Sequence, residues 1–196
     1  MPVFKNLRFD IIYNDSRTFK LAQNDSYILS YPEFIKYFDS IDLKVTSHNL
    51  IIGANFIYGW MPRVLRLNLN DSDMTYYLGL INKVKSGYEL KDQELLNLKI
   101  LLNNSLVGAS KLLHFVNPYK YAIWDSHILK YISGNKTSYG IDKVNYYNEY
   151  LNGLKEVINN PNFKILHEHI EDHLDYSISP FRAIELVMFQ TSKNRI

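Results

Sequence analysis

Asp125 follows the short run Tyr121-Ala122-Ile123-Trp124 and precedes Ser126-His127-Ile128, which puts a carboxylate at the mouth of a helix expected to reach about Ile132. A carboxylate fixed there has two uses. It caps the helix, the commonest task of an aspartate at that position, or it stabilises positive charge developing on a bound substrate and orients a nucleophile. Fourteen residues earlier stands Lys111. Its amine is a nucleophile where burial or a neighbouring cation lowers its pKa, and a solvated side chain in a first helical turn otherwise. Between Asn103 and Ser110 the sequence reads as a tight break that separates a helix over about 92–102 from one resuming near Lys111 and ending at Val116. A helix–turn–helix of this kind presents backbone N–H groups to a phosphate, and Leu106, Gly108 and Ser110 are the candidate contacts, with Gly108 equally readable as a helix C-cap. A third group is His167-Glu168-His169-Ile170-Glu171-Asp172-His173, where His169 and His173 share a helical face at a metal-binding spacing. The Glu is misplaced for a metalloprotease motif and no third ligand is evident, so a solvated, charged helix is the stronger reading.

The elements that position these residues read as helices. Leu7, Phe9, Ile11 and Tyr13 alternate with polar residues ahead of Asn14-Asp15-Ser16, which predicts a short N-terminal β-hairpin. From Ser30 onward the period is helical. Ser30 with Glu33 forms a capping box, Thr46 or Ser47 opens a second helix that breaks near Pro62, and Met74 to Val84 gives a third closed by Gly87. Helices are further expected from Asp92, Asp125, about Val144, Asn160-Pro161 and Ser179-Pro180, with Gly134–Gly140 as a polar loop. The expectation is a mainly α chain of about eight helices, with residues 1–196 forming one domain.

Composition sets the outer bounds. With 22 basic and 20 acidic residues the net charge is +2, so no strongly basic surface announces a nucleic-acid partner. The absence of cysteine excludes disulfides, thiolate chemistry and cysteine zinc sites. Sixteen tyrosines and ten phenylalanines supply stacking surface, although an AT-rich coding sequence accounts for them as well. Met1–Asp10 lacks the continuous apolar run of a signal peptide, and the apolar patches are too short to span a bilayer, so a cytoplasmic protein without a membrane partner is expected.

Leu106-Val107-Gly108-Ala109-Ser110-Lys111 followed by Ile123-Trp124-Asp125-Ser126-His127-Ile128 resembles the hairpin and catalytic-aspartate segments of the helix-hairpin-helix DNA glycosylases. Val107 and Ser110 stand where that family usually has proline and a second glycine, and the atypical hairpin is closest to the archaeal oxoguanine type. The resemblance spans roughly Asp92 to Ile132. It implies a monomeric enzyme acting on double-stranded DNA, removing a damaged base or a modified base of foreign DNA, with Asp125 as catalytic aspartate and Lys111 as the Schiff-base lysine of a glycosylase with lyase activity. Leu106, Gly108, Ser110, Ser126 and His127 would contact DNA. Trp60, Tyr121 and Trp124 would hold the flipped base, and no metal or other cofactor is implied. Two other readings are a non-catalytic helical module that binds DNA or protein, and a metal-dependent hydrolase built on His167–His173.

Overall fold

The computed structural model describes residues 4–21, 25–69 and 73–194, and among these the chain is helical with no sheet. Ten helices follow one another: α1 (Phe9–Ser16), α2 (Ser26–Asp39), α3 (Ser47–Trp60), α4 (Asp73–Lys85), α5 (Asp92–Leu101), α6 (Leu106–Val116), α7 (Ser126–Ser133), α8 (Val144–Ile158), α9 (Phe163–Glu171) and α10 (Pro180–Asn194). The mainly α expectation holds, with ten helices in place of about eight. No helix among the described residues is long and apolar enough to cross a membrane.

The chain divides into two compact units, one made of residues 1–25 with 122–196 and the other of residues 26–121. In the 26–121 unit, α6 packs against α2, α3, α4 and α5. Its sequence, Leu-Val-Gly-Ala-Ser-Lys-Leu-Leu-His-Phe-Val, is apolar or small on nearly every face, and every residue but Val107 is buried. The polar members find partners inside the unit. Ser110 Oγ donates to Val107 O at 2.9 Å, and His114 Nδ1 lies 2.8 Å from Tyr121 O while its Nε2 lies 2.9 Å from the Tyr31 hydroxyl. A carbonyl only accepts, so Nδ1 carries the ring hydrogen.

In the other unit α10 has the central role and packs against α1, α7, α8 and α9. Phe181 through Met188 are all buried, including Arg182 and Glu185, which form an ion pair with each other along the helix. A buried pair of this kind offsets most of its own desolvation cost, whereas removal of one partner strands the other charge.

Three sequence expectations are corrected. The N-terminal β-hairpin is instead α1, because the inward set is Phe9, Ile12, Tyr13 and Ser16 at helical spacing, with Ile12 and Ser16 buried and Phe9 stacked on Tyr13. An eight-residue stretch fits both periods, and tertiary packing decides between them. The helix expected to resume near Lys111 begins five residues earlier, at Leu106, so the segment read as a break forms its first turns. The turn itself is Leu102–Ser105, where Asn103 (φ 55°) and Asn104 (φ 52°) take the left-handed conformation that asparagine tolerates better than most residues. The Ser30–Glu33 box also lies inside a helix, α2, rather than at its start.

Candidate active site

In the unit of residues 1–25 and 122–196, the approach to Asp125 is held from α8. Tyr147 Oη donates to Ala122 O at 2.9 Å and Tyr150 Oη to Ile123 O at 3.2 Å. Trp124 Nε1 donates to Ile141 O at 2.7 Å, and the fully buried indole packs 5.1 Å from the Tyr150 ring. Three consecutive residues are thereby pinned, and the chain arrives at Asp125 in a fixed extended conformation. Burial raises the Tyr150 hydroxyl well above its ordinary pKa, with the negative charges of Glu185 and Asp125 adding to the shift and Arg182 opposing it. The phenol therefore remains a protonated donor.

Asp125 caps α7 with one oxygen. Its Oδ1 accepts from His127 N at 2.9 Å and from Ile128 N at 3.1 Å, and Oδ2 has no hydrogen-bond partner among the described residues. The residue is half-buried. Two amide bonds on one oxygen fix the carboxylate plane and leave the other oxygen for a ligand. Ser126 and His127 occupy the first turn of α7, where His127 N is already bound by Asp125. The His127 ring lies 5.0 Å from Phe189, and its buried Nδ1 has no partner among the described residues.

In the 26–121 unit, the hairpin turn is tied down on both flanks. Ser105 N and Tyr58 Oη both donate to Leu102 O, at 2.9 and 2.7 Å. The Asn103 side chain accepts from Arg66 N and donates to Val64 O, at 2.6 and 2.8 Å. Ser105 caps α6 by accepting from Gly108 N at 3.2 Å. A Cβ at Gly108 would come within 2.6 Å of the Tyr58 hydroxyl, so glycine is required for the crossing of Tyr58. These facts correct the hairpin assignment. Leu106 and Ser110 are fully buried, and the Gly108 amide is already capped, so none of the three offers the phosphate contact their sequence position suggested.

Lys111 belongs to the second turn of α6 and is 8% exposed, which overturns its reading as a solvated residue in a first turn. Its Nζ stands 5.0 Å from the centre of the Trp60 ring, a cation–π contact partly shielded from water. Trp60 is half-buried and meets Tyr27 and Phe115, each at 5.3 Å. Of the three aromatics expected to hold a base, Trp60 alone keeps an accessible edge. Tyr121 and Trp124 are core residues, 2% and 0% exposed. The Tyr121 hydroxyl accepts from Leu90 N at 2.7 Å and donates to Tyr88 O at 3.1 Å. Chiefly through burial its pKa is pushed up to about 12. Large aromatics bring area to whichever surface buries them, so residue type alone does not separate a core ring from a binding platform.

The histidine cluster is structural. His167 Nε2 lies 3.0 Å from Ile178 O, His169 Nε2 3.0 Å from Ser16 O, and His173 Nδ1 2.8 Å from His169 O. The His169 and His173 rings are 5.0 Å apart, yet no group of three metal-binding side chains forms among the described residues. The metal-hydrolase reading loses its ligand set.

Sequence reasoning did not single out Tyr58, Asn103, Ser105, Tyr147 or Tyr150 as anchors. A signal existed for two of them: Tyr147 and Tyr150, three residues apart on the buried side of α8, each bring a hydroxyl that requires an acceptor inside the core. The chain finds no match among protein-family models, curated proteins or solved structures.

Proposed function

We propose that this chain is a helix-hairpin-helix DNA glycosylase that removes a damaged or modified base from double-stranded DNA, with Asp125 as its essential carboxylate. One observation carries the reading: Asp125 uses Oδ1 for both cap bonds and keeps Oδ2 without a partner among the described residues. Cleavage of an N-glycosidic bond leaves positive charge on the sugar. A carboxylate held rigidly by two amides stabilises that charge without reorganising, and its second oxygen orients the attacking water. The target base must first leave the stack, and the accessible edge of Trp60 supplies aromatic surface for it. Lys111, buried against that ring, is the candidate nucleophile for an imine with the sugar.

The test is incubation with duplexes that carry a panel of modified bases, with and without alkali. Product only after alkali assigns a glycosylase that uses water, and product without it adds lyase activity. For Lys111, borohydride added during turnover is expected to leave the chain covalently attached to DNA, and Lys111→Gln to abolish the adduct while Lys120→Gln retains it. Base release without any trapped complex removes Lys111 from the mechanism. The same cap bonds favour a second reading, a non-catalytic DNA-binding module, because two amides in need of an acceptor are reason enough for an aspartate. Binding to duplex DNA with no product from any base assigns the module.

A further inference from the structure

A cavity of about 370 Å³ opens in the unit of residues 1–25 and 122–196, at the end of α7 opposite its Asp125 cap. Its lining includes Asn6, Lys130, Asn135, Lys136 and Ser192, and among the described residues no acidic one. Neither lysine takes part in an ion pair among the described residues. Ser192 is 5% exposed, and its hydroxyl has no hydrogen-bond partner among the described residues. A buried serine at a cavity wall, beside one half-buried and one exposed lysine without an ion-pair partner among the described residues, describes a place prepared for an anion.

The end of a helix ordinarily repels an anion, because its last carbonyls carry partial negative charge. Here three of the last four carbonyls are covered. Lys130 O accepts from Gly134 N at 3.0 Å, Tyr131 O from Asn6 Nδ2 at 2.7 Å, and Ile132 O from Asn6 N at 3.1 Å. The Tyr131 hydroxyl, also near the cavity, is engaged with Asp15 Oδ2 at 2.7 Å. The field left in the cavity is that of Lys130 and Lys136. The donor set also selects among anions. A planar carboxylate is best met by the fork of an arginine, and the described residues of the lining include none, whereas lysine point charges with a hydroxyl and an amide suit a tetrahedral phosphate. The volume falls in the small-ligand range of about 300–1,000 Å³, more than a lone phosphate fills.

We propose that this cavity binds a phosphate group carried on a larger organic body, with Lys130 and Lys136 supplying the charge and Ser192 and Asn135 the hydrogen bonds. The inference does not rest on the glycosylase reading. A free nucleotide and a DNA strand both present this chemistry, and the experiment separates them. Inorganic phosphate, thymidine 5′-monophosphate and a short undamaged duplex are titrated separately into isotopically labelled protein, and the amide signals of Asn135, Lys136 and Ser192 are followed. The monophosphate is expected to shift these signals saturably. Its affinity should fall about tenfold for each of Lys130→Gln and Lys136→Gln, the loss of one charge-assisted bond, and recover in Lys130→Arg. Ser192→Ala should weaken it by a smaller factor, with the circular dichroism spectrum unchanged in every variant. Shifts with the duplex that disappear in the lysine variants assign the site to a strand phosphate, and shifts with the monophosphate alone assign it to a free ligand. The proposal is overturned if none of the three probes moves these signals, or if the double lysine variant binds as tightly as the parent. Asp125→Asn should leave this binding intact, so failure here and failure of base excision are told apart.

Discussion

Ser105 and Asp125 each open a helix, and each gives a side-chain oxygen to amides of the first turn. Ser105 has one oxygen and uses it on Gly108 N, and the helix behind it, α6, is buried at every residue but Val107. Asp125 has two oxygens and satisfies both of its amides with one of them. The segment before it is anchored by Tyr147, Tyr150 and the Trp124 indole, while the carboxylate itself stays half-buried. Two helix starts obeying one capping rule thus differ in what they leave over. One is consumed by structure, and the other retains an oriented charge. Cap identity alone does not mark a site. The two caps are told apart by the oxygen that the cap does not need.

The largest expected effect comes from removing that atom's charge. Asp125→Asn keeps an acceptor for the two amides, so the thermal midpoint should move little while base excision falls by about 10²–10³ or more. Ser105→Ala is the mirror experiment, expected to cost about 1 kcal/mol of stability and to leave the chemical step alone. If the aspartate variant loses stability and keeps its activity, the two caps are equivalent and the contrast collapses.

A second test bears on the buried side of the comparison. A side chain at Gly108 meets the Tyr58 hydroxyl at 2.6 Å, and that hydroxyl is pinned to Leu102 O, so Gly108→Leu should destabilise the chain by about 1–3 kcal/mol in urea unfolding. In a cycle with Tyr58→Phe the two effects should fail to add, because one contact is removed from both sides. A stable Gly108→Leu protein with weakened DNA affinity would return Gly108 to the phosphate-binding role that its sequence position suggests.

A third effect appears only in alkali. Tyr121 rises from the ordinary 10.0 to about 12 in the folded chain, and Tyr150 is raised as well, both chiefly by burial. Between pH 10 and about 12 the unfolded chain therefore releases protons that the folded chain keeps. Stability fully present below pH 10 drains away through that window, at up to about 1.4 kcal/mol per pH unit for each tyrosine. Urea midpoints taken from pH 9 to pH 12 should trace this fall, and Tyr121→Phe should flatten it. An unchanged slope in that variant would mean that the phenol ionises in the folded chain.

Much of this architecture was legible in the sequence, and the failures have physical causes. α3, α4, α8 and α10 were readable because period and caps agree, as where Thr46 bonds Asn49 at the start of α3. α1 was not, since eight residues alternate and spiral equally well. The start of α6 was misplaced because Gly108 and Ser110 look like turn residues, while the turn belongs to Asn103 and Asn104, whose positive φ no pattern announces. Asp125 was readable as a cap, but that it needs only one oxygen for the task is a matter of geometry. The burial of Lys111 was hidden because its aromatic partner, Trp60, lies on another helix far back in the sequence. Trp124 and Tyr121 are core rings rather than holders of a base, because aromatic type says nothing about which way a ring faces.

The chain has two tryptophans, and they fall one to each unit: Trp60 among residues 26–121, and Trp124 in the unit of residues 1–25 and 122–196. Their surroundings differ in every respect that governs indole emission. Trp124 is sealed from water and hydrogen-bonded to a carbonyl, so it emits toward the blue. Trp60 is half-open and carries an ammonium over its ring, so it emits further to the red and responds to the charge of Lys111. With either tryptophan replaced by phenylalanine, the remaining one is an intrinsic, label-free reporter confined to one unit. The melting of each unit can then be followed separately in the intact chain.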